Sequence, residues 1–453
     1  MNQAWPAPVA SGPVNAQVSV PGSKSHTARA LYLAAIATHP SRIRGALDAR
    51  DTRLFINGLQ ALGARISSDG DALLVEPISK HEIPPADSPT GSAPGKIRTI
   101  DVGLAGTVMR FLPPLAALSS TPTRFTGDEA ALHRPVAPLL DALTSMGASV
   151  DYEGEAGHLP LTIRGPLHVP EDGRVDVHAS SSSQFLSAML LVAPLLGSPI
   201  TVRAPGNVVS LPHVDMTVSA MRARGIRCVR SGDAGQHLSW VIEPGRPEGG
   251  TWTIEPDLSN AGPFLAAAMV TGGSVTIPNW PSVTDQAGDA WRWILKEMGG
   301  AVHFAPGGAT GGKAEAGDLT VTGPPRGNLR GLSADFSAIG ELVPTVAALA
   351  AVASSPSLIT GIAHLRGHET DRVSALAREI TRLGGDVNEG DDFLRITPRP
   401  LHAAEIHTYE DHRMATFGAI IGLNVPGTHV ANVETTSKTL PGFTTMWEDM
   451  LSQ

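Results

Sequence analysis

Six Ala- and Leu-rich runs of helical length recur along the 453-residue chain, and each is followed by a small-residue turn and a β-like run. The runs begin at Arg29, Val108, Phe185, Pro263, Pro344 and Met414. Such repetition constrains the fold strongly, because each copy is one supersecondary unit that needs its neighbours to bury its apolar face. The alternative is chance similarity between alanine-rich helices in an alanine-rich sequence.

A second, amphipathic helix follows in most repeats and is stopped by glycine. The glycines predicted to stand at helix C-termini are Gly63, Gly147, Gly225, Gly299 and Gly384. Short alternating strands with Gly and Asp turns come next, as in residues 64–77 and 226–244. The sixth copy stops at its second helix, MWEDML.

The first-turn residues of the six first helices are taken to be Lys24, Gly106, Ser183, Asn260, Glu341 and Arg413, at spacings of 82, 77, 77, 81 and 72. These spacings are too long and too few for a solenoid. They predict two α/β domains of three repeats each, with the break near Glu255. Two stretches rich in Pro, Gly and Ser, 77–99 and 305–317, are predicted to be surface insertions.

The overall charge narrows the class of partner. A net charge of −9 argues against a nucleic-acid or membrane-surface partner, which needs a basic footprint. The longest apolar runs, 185–196 and 342–353, are shorter than the roughly 18 residues of a membrane span, and no signal core opens the chain. We therefore expect a cytoplasmic protein. The single cysteine, Cys228, excludes an internal disulfide and a multi-cysteine metal site.

Polar motifs stand at the starts of the apolar helices, where free N–H groups and the helix dipole favour anions. They read PGSKSHTAR (21–29), GLAGTVMR (103–110), SSSSQF (180–185), EPDLSNAG (255–262), GELVPT (340–345) and YEDHRMA (409–415). Each also has a plain interpretation, because Ser and Gly are common helix caps and turn residues. Lys24, one of six lysines in the chain, lies between two serines, a setting that favours a phosphate or carboxylate contact.

Further charge is concentrated in LRGHETDR (365–372), which opens a second helix, and around Lys438 in TTSKTLPGF (435–443). The acidic residues of the first segment are also explained by the helix dipole. A lone lysine in a polar loop is usually only solvated. Neither segment by itself identifies a site.

Taken in order, these motifs resemble the 5-enolpyruvylshikimate-3-phosphate synthase (3-phosphoshikimate 1-carboxyvinyltransferase) family. The resemblance covers nearly the whole chain. It rests on PGSKS (21–25), GLAGTVMR (103–110), RP (134–135), SSQF (182–185), SLPHVDMT (210–217), EPDLSNA (255–261), HETDR (368–372), DHRMA (411–415) and SKTLP (437–441).

The resemblance implies a two-domain inverse α/β barrel, the enolpyruvyl transferase fold, in which each α/β domain has three βαβαββ-type repeats. Residues 22–254 would form the N-terminal domain, on the shikimate 3-phosphate side. Residues 1–21 plus 255–453 would form the C-terminal domain. The active site of this family lies in the interdomain cleft, toward which the helix starts point.

The implied reaction transfers the enolpyruvyl group of phosphoenolpyruvate to the 5-hydroxyl of shikimate 3-phosphate by addition and elimination through a tetrahedral intermediate, and it releases phosphate. This step of the shikimate pathway leads to chorismate and aromatic amino acids. It needs a base at the hydroxyl and an acid at the enol methylene. Glu341 is assigned as the base, Glu369 as the candidate for proton transfer at the methylene carbon, and Lys24 as an assisting group. No metal or other cofactor is expected, and the protein is expected to be a monomer.

The resemblance also assigns ligand contacts. The phosphoenolpyruvate contacts would be Lys24, Gly106, Arg134, Gln184, Arg372, Arg413 and Lys438. The shikimate 3-phosphate contacts would be Lys24, Ser25, Arg29, Ser182, Ser183, Gln184, Ser210, Glu341 and His368, with His364 as a weaker addition. Members of the family bind glyphosate in the phosphoenolpyruvate site, and Gly106 would leave room for it.

Several positions depart from the family pattern. Glu341 stands where Asp is usual, His213 replaces Tyr, and His364 and Leu365 replace Asn and Trp. His368 replaces a lysine, so the reference pKa at this position falls from about 10.4 to about 6.5. A positive charge at residue 368 is then no longer guaranteed at neutral pH.

Two other functions stay open at this point. A UDP-N-acetylglucosamine enolpyruvyl transferase shares the fold and phosphoenolpyruvate, but that family usually relies on a cysteine in a mobile loop. Cys228 instead falls between a helix and a strand, where it is typical of core packing. A non-catalytic phosphometabolite-binding protein is favoured only by the changes at His213 and His368.

Overall fold

The computed structural model describes residues 4–79, 97–232, 237–307 and 316–453. Most of the two predicted surface insertions therefore lies outside the described residues. The chain divides into two compact units. We call Lys24–Ile254 the central unit, and the residues up to Ser23 together with Glu255–Gln453 the flanking unit.

The helices, in chain order, are α1 (Lys24–Ala35), α2 (Arg50–Ala61), α3 (Gly106–Ala116), α4 (Glu129–Leu132), α5 (Ala137–Ser145), α6 (Ser183–Val192), α7 (Leu211–Arg222), α8 (Leu258–Thr271), α9 (Trp291–Glu297), α10 (Val343–Ala351), α11 (Arg372–Arg382), α12 (His412–Gly422) and α13 (Phe443–Ser452). Short 3₁₀ turns cover Ala193–Leu196, Ala287–Ala290, Gly340–Leu342, Ala363–Gly367 and Val433–Lys438.

The strands are β1 (Trp5–Pro6), β2 (Asn15–Gln17), β3 (Ser41–Arg44), β4 (Arg65–Asp69), β5 (Ala72–Glu76), β6 (Arg98–Asp101), β7 (Thr123–Thr126), β8 (Ser149–Tyr152), β9 (Leu161–Arg164), β10 (Arg174–Asp176), β11 (Ile200–Ala204), β12 (Cys228–Ser231), β13 (Leu238–Ile242), β14 (Thr251–Thr253), β15 (Ser274–Pro281), β16 (Ala301–Pro306), β17 (Ala316–Thr322), β18 (Ser333–Asp335), β19 (Ser357–Thr360), β20 (Asp386–Gly390), β21 (Phe393–Thr397), β22 (Glu405–Ile406) and β23 (His429–Val430).

The repeat predicted from the sequence is present as a βαβαββ unit. In the repeat of β6, α3, β7, α5, β8 and β9, the sheet order is β6-β7-β9-β8. Its first two strands are parallel, and the remaining pairs are antiparallel. The same order recurs in β10-β11-β13-β12 and β18-β19-β21-β20. A parallel first pair requires a crossover, which the first helix of each repeat provides.

Two repeats take their first strand from a distant part of the chain. Strand β14, at the end of the central unit, pairs in parallel with β3. Strand β2, near the start of the chain, pairs in parallel with β15 in the flanking unit. The segments at which the chain leaves and re-enters the flanking unit are hydrogen-bonded to each other, from Ser23 N to Glu255 O at 2.8 Å and from Asp257 N to Pro21 O at 2.8 Å.

The sixth repeat differs from the other five. Its strands β22 and β23 are parallel, and β1 from the N-terminus adds an antiparallel third strand. The predicted second helix of this copy, MWEDML, lies within α13. The addition of Trp5–Pro6 as its third strand was not predicted from the residues.

The two kinds of helix follow from the apolar pattern. All residues of α8 and α10 are buried, as expected of helices that are apolar on every side. In the flanking unit, α8, α10 and α12 contact one another, and this unit has its own core, with Trp280, Trp291 and Trp447 fully buried. The second helices contact both strands and first helices, as α2 contacts β6 and α3.

The predicted glycine stops are confirmed. The five residues adopt the left-handed backbone that favours glycine, with φ between 83° and 111° at Gly63, Gly147, Gly225, Gly299 and Gly384. Four of them directly follow the last helical cap residue, and Gly225 stands one residue further on.

The repeats also need glycine where a sheet closes on a helix. A Cβ at Gly323, directly after β17, would lie 2.0 Å from the Ala268 carbonyl oxygen of α8. We expect Gly323→Ala to lower the free energy of unfolding by about 1–3 kcal/mol, because the backbone must shift. Gly12→Ala is the matched control, since no atom lies within 4 Å of its Cβ, and it should change stability by less than about 0.5 kcal/mol. Equal denaturation midpoints for both variants would contradict this packing.

Candidate active site

The polar motifs lie at helix starts, as predicted. Lys24, Gly106 and Ser183 are the first residues of α1, α3 and α6. Asn260 and Arg413 lie in the first turns of α8 and α12. Glu341 is the exception, because it lies in the 3₁₀ turn Gly340–Leu342 directly before α10. The prediction that Glu341 lies in the first turn of the α-helix is therefore wrong, because the residue lies one short turn before the helix begins.

In the central unit, polar side-chain ends surround Gly106. A Cβ at this position would lie 2.7 Å from Arg110 Nη1, 3.3 Å from Gln184 Oε1 and 3.4 Å from Arg134 Nη2. Arg110 Nη1 donates to Gln184 Oε1 at 3.1 Å. The structure thus brings together three predicted phosphoenolpyruvate contacts, Gly106, Arg134 and Gln184, and adds Arg110, which is absent from the predicted set.

Arg134 is buried, with only 8% of its surface exposed. Its Nη1 donates to the carbonyl oxygen of Leu104 at 3.3 Å, and its Nε has no hydrogen-bond partner among the described residues. A buried donor without a partner is costly. A ligand oxygen at this guanidinium would remove that cost.

Lys24 opens α1 and forms an ion pair with a buried carboxylate. Its Nζ lies 3.7 Å from Asp51 Oδ2, and the two side chains are 25% and 3% exposed. Asp51 lies in the first turn of α2 and was not singled out from the sequence. Its only sequence signal is an acidic residue in the first turn of a helix, which is common in proteins.

Arg29 is buried and donates to three protein acceptors, which belong to two helices. Its Nε donates to Thr217 Oγ1 at 2.7 Å, its Nη2 to the His213 carbonyl at 2.7 Å and its Nη1 to the Ser25 carbonyl at 2.9 Å. The guanidinium therefore links the start of α1 to α7. His213, at the position where Tyr is usual, contributes a backbone carbonyl to this link.

The serine-rich segment caps α6. The Ser182 side chain accepts the Gln184 backbone N–H at 3.3 Å, so the plain capping interpretation holds for Ser182. Ser183 is buried. Ser210 directly precedes α7 with φ of 49°, an uncommon backbone for a residue other than glycine.

In the flanking unit, Arg372 connects two segments distant in sequence. Its Nε donates to Asp411 Oδ2 at 2.7 Å, and its Nη2 to Asp411 Oδ1 at 3.2 Å and to Glu369 Oε2 at 2.9 Å. The arginine and aspartate side chains are 2% and 0% exposed. Asp411 also caps α12 by accepting the Arg413 N–H at 2.8 Å.

Burial by itself lowers the pKa of Arg372. The carboxylates of Asp411 and Glu369 raise this pKa by more than burial lowers it, so the net pKa lies above its ordinary value. The guanidinium therefore stays charged. Two carboxylates against one buried cation leave the cluster ready to accept additional positive charge, which Lys438 supplies.

Lys438 ends the turn Val433–Lys438 and is 7% exposed. Its Nζ donates to Glu369 Oε1 at 2.6 Å. The neighbouring Thr439 carbonyl accepts Asn260 Nδ2 at 3.0 Å. The plain interpretation of Lys438 as a solvated lysine in a polar loop is therefore wrong, because it lies in a buried ion pair.

His368 meets Arg372 through its ring. Arg372 Nη1 lies 3.0 Å from His368 Nδ1. An arginine cannot accept a hydrogen bond, so Nδ1 is the acceptor in this contact. The same nitrogen lies 3.9 Å from Glu369 Oε2. An imidazole therefore stands beside the Arg372–Glu369 pair, where the family pattern has a lysine.

Glu341 and Arg413 form the remaining pair, with Oε2 3.4 Å from Nη2. His364 lies behind Glu341, and its Nε2 would be 2.3 Å from a Cβ at Gly340. That nitrogen is buried and has no hydrogen-bond partner among the described residues. Burial lowers the pKa of His364, although Asp392 raises it.

Sequence reasoning missed Asp51, Arg110 and Asp411. Arg110 and Asp411 were quoted within motifs but were not assigned a contact. In the ranges that the structure describes, no group of three or more His, Cys, Asp or Glu side chains is arranged to hold a metal ion. Within the same ranges, the apolar helices fall short of the length needed to cross a membrane.

Known proteins resemble this chain over nearly its whole length. The protein-family model for EPSP synthase (3-phosphoshikimate 1-carboxyvinyltransferase) matches residues 9–447 of this chain. A curated 3-phosphoshikimate 1-carboxyvinyltransferase from Kocuria rhizophila is 49% identical over 99% of this chain and 96% of its own length. The chain belongs to the EPSP synthase family.

Solved structures similar to this chain share its fold. An EPSP synthase from Acinetobacter baumannii superposes with a TM-score of 0.76, with 22% identity over 99% of this chain and 97% of its own. The enolpyruvyl transferase NikO from Streptomyces tendae gives a TM-score of 0.71, with 18% identity over 98% and 96% of the two chains. The predicted enolpyruvyl transferase fold is confirmed.

The single cysteine, Cys228, is a buried core residue. This residue begins β12 and is 2% exposed. Burial raises the pKa of its thiol to about 11, so it is protonated at neutral pH and unsuited to nucleophilic chemistry. The interpretation of Cys228 as core packing is confirmed.

Because burial lowers the pKa of His364, the folded protein holds this ring neutral, whereas the unfolded chain protonates it near pH 6.5. We expect the free energy of unfolding to fall as pH drops below about 6.5, since the unfolded state then binds an extra proton. His364→Asn should show a shallower fall between pH 7.5 and 5.5 in denaturation experiments. His402→Asn, at an exposed position, should keep the wild-type slope, and identical slopes for all three proteins would contradict the assignment.

Proposed function

We propose that the chain catalyses the transfer of the enolpyruvyl group of phosphoenolpyruvate to the 5-hydroxyl of shikimate 3-phosphate, with release of phosphate. The observation that carries this proposal is the buried carboxylate Glu369, held by Lys438 at 2.6 Å and Arg372 at 2.9 Å. A carboxylate between two cations that suit a polyanion is the arrangement that proton transfer next to bound phosphoenolpyruvate requires. Membership of the EPSP synthase family supports the proposal.

The flanking unit supplies cations for the carboxylate and phosphate of phosphoenolpyruvate. Arg372, Arg413 and Lys438 are paired with Glu369, Glu341 or Asp411 in the structure. A guanidinium carries five N–H donors, and four contacts engage Arg372 among the described residues. One N–H therefore remains for a ligand oxygen, and Lys438 exchanges one carboxylate oxygen for another when the ligand binds.

The central unit supplies the remaining phosphoenolpyruvate contacts, Gly106, Arg134 and Gln184, beside Arg110. The unpaired Nε of Arg134 supports an oxygen ligand there. The proposed shikimate 3-phosphate contacts are Lys24, Ser25, Arg29, Ser182, Ser183, Gln184, Ser210, Glu341 and His368. The hydroxyls and the Lys24 ammonium suit a phosphate, whereas Arg29 already binds three protein acceptors and contributes chiefly its positive charge.

The acid–base roles follow from the pairs. Glu341 accepts the proton of the 5-hydroxyl, and Arg413 at 3.4 Å keeps the carboxylate oriented. In the addition step, Glu369 in its protonated form gives its proton to the methylene carbon and becomes the carboxylate that Lys438 and Arg372 pair with. In elimination, each group reverses its role. Lys24 adds positive charge toward the departing phosphate.

We further propose a division of the substrates between the domains. Residues 22–254 are assigned to the shikimate 3-phosphate side, and 1–21 plus 255–453 to the other domain. We also propose a cytoplasmic monomer that needs neither a metal nor another cofactor. The reaction's balance of atoms requires only the two substrates and proton transfer.

Phosphate release from phosphoenolpyruvate tests the function. We expect the wild type to release phosphate only when shikimate 3-phosphate is present. Glu341→Gln removes the base and should lower the rate of this release by about 10²–10⁴. Binding of both substrates should largely survive in this variant, because the amide keeps the shape of the side chain. Release that depends on UDP-N-acetylglucosamine instead would favour the other transferase, and a near wild-type rate for Glu341→Gln would refute the base assignment.

Glyphosate tests the placement of Gly106. We expect inhibition of the wild type that is competitive with phosphoenolpyruvate. Gly106→Ala should raise the inhibition constant about tenfold or more, because a methyl group 2.7 Å from Arg110 Nη1 costs about 1–3 kcal/mol of packing energy. Gly154→Ala, with no atom within 4 Å of its Cβ, should be inhibited like the wild type. Equal inhibition of all three proteins would remove Gly106 from the site.

A further inference from the structure

Two consecutive residues other than glycine adopt left-handed backbone immediately before Asp411, the cap residue of α12. Tyr409 has φ of 52° and Glu410 has φ of 58°. They lie between β22 and Asp411, the cap residue of α12. Such residues are uncommon in this conformation, and a pair of them persists only where surrounding contacts determine it. We call Tyr409–Glu410 the 409–410 turn.

The first side chain of the 409–410 turn is tied to α11. Tyr409 donates its hydroxyl to Glu379 Oε1 at 2.6 Å. Glu379 is fully buried, and its Oε2 accepts His407 N and Arg382 Nε, both at 3.1 Å. Burial, and then Glu379, raise the pKa of Tyr409, so the hydroxyl remains a donor.

Glu379 is on the same helix as Arg372 and two turns further along. Residues seven apart lie on one face of a helix, and both side chains reach the same incoming segment. Arg372 binds Asp411, and Glu379 binds His407 N and Tyr409. Helix α11 is thus attached at two points to residues 407–411, which orients its first residue.

The second side chain of the 409–410 turn is tied to the segment that carries Lys438. Glu410 Oε1 accepts Asn432 Nδ2 at 3.0 Å. Asn432 has φ of 49° and directly precedes the turn Val433–Lys438. The 409–410 turn therefore contacts one neighbour on each side, α11 through Tyr409 and the Val433–Lys438 turn through Glu410, before the chain continues into α12.

These three elements carry the three flanking-unit cations that are assigned to phosphoenolpyruvate. Arg372 opens α11, Arg413 lies in the first turn of α12, and Lys438 ends the 3₁₀ turn. We propose that Tyr409 and Glu410 are positioning residues that set the mutual placement of Arg372, Arg413 and Lys438 for phosphoenolpyruvate. This inference rests on the proposed function, but it concerns residues that do not themselves contact the substrate.

Two side-chain changes test the proposal. Tyr409→Phe removes only the hydroxyl, and Glu410→Ala removes the side chain beyond Cβ, with its acceptor, at a similar backbone cost. We expect each to raise the KM for phosphoenolpyruvate about tenfold, equivalent to about 1.4 kcal/mol, with the KM for shikimate 3-phosphate changed by less than about twofold. Glu410→Gln retains an amide oxygen that accepts Asn432, so it should restore most of the wild-type KM.

Tyr152→Phe is the matched control, since it removes a tyrosine hydroxyl from the exposed strand β8 and should leave both KM values unchanged. An unchanged KM for phosphoenolpyruvate in Tyr409→Phe and Glu410→Ala overturns the proposal. So does an equal rise in both KM values, which is the result of a general structural defect. If Tyr409→Phe fails to fold, the Glu410→Ala and Glu410→Gln pair decides the question.

The two proposals fail in different ways. A wild-type protein that releases no phosphate contradicts the proposed reaction. Calorimetric binding of phosphoenolpyruvate to the wild type, Glu410→Ala and Glu410→Gln then still tests the positioning role. Weaker binding in Glu410→Ala that is recovered in Glu410→Gln supports it, and identical binding in all three overturns it.

Discussion

Arg372 is a full positive charge whose side chain is 2% exposed, and the flanking half of the site depends on how that charge is compensated. An isolated charge cannot be buried without several kcal/mol of penalty. Asp411 binds two of its nitrogens and Glu369 binds one. Each carboxylate then recruits a further group, the α12 start for Asp411 and Lys438 for Glu369. Removing the guanidinium would leave two buried carboxylates without their main partner.

The same cluster explains how a chain of net charge −9 can serve anionic substrates. Arg372 and Arg413 lie in the first turns of α11 and α12, where the helix dipole adds to their charge, and Lys438 is buried beside Glu369. Their charge is balanced by carboxylates while no ligand is bound. Phosphoenolpyruvate has carboxylate and phosphate oxygens of the same kind, so it can replace protein oxygens without leaving a cation unpaired.

The departures from the family pattern concern the surroundings of the cluster more than the cluster itself. His368 contacts Arg372 through its ring nitrogen Nδ1. His364 fills space beside Gly340 and Glu341 in its neutral form. His213 contributes its backbone carbonyl to Arg29. The carboxylates Glu341 and Glu369 and the three cations are all retained, which favours an active enzyme over a binding protein without activity.

The sequence alone determined the repeats, the helix starts and the glycine stops, because apolar periodicity, capping and left-handed glycine act over a few residues. It also indicated the family, through motifs that follow one another in order. Only the tertiary structure decided that Arg372 pairs with Asp411, 39 residues away, and that Lys438 is buried. It also decided that β1, β2 and β14 pair with strands distant in sequence. It alone revealed the 409–410 turn. Because neither residue of this turn is glycine, the sequence did not predict its left-handed backbone. These features depend on which segments lie side by side after folding, and neither local propensity nor spacing carries that information.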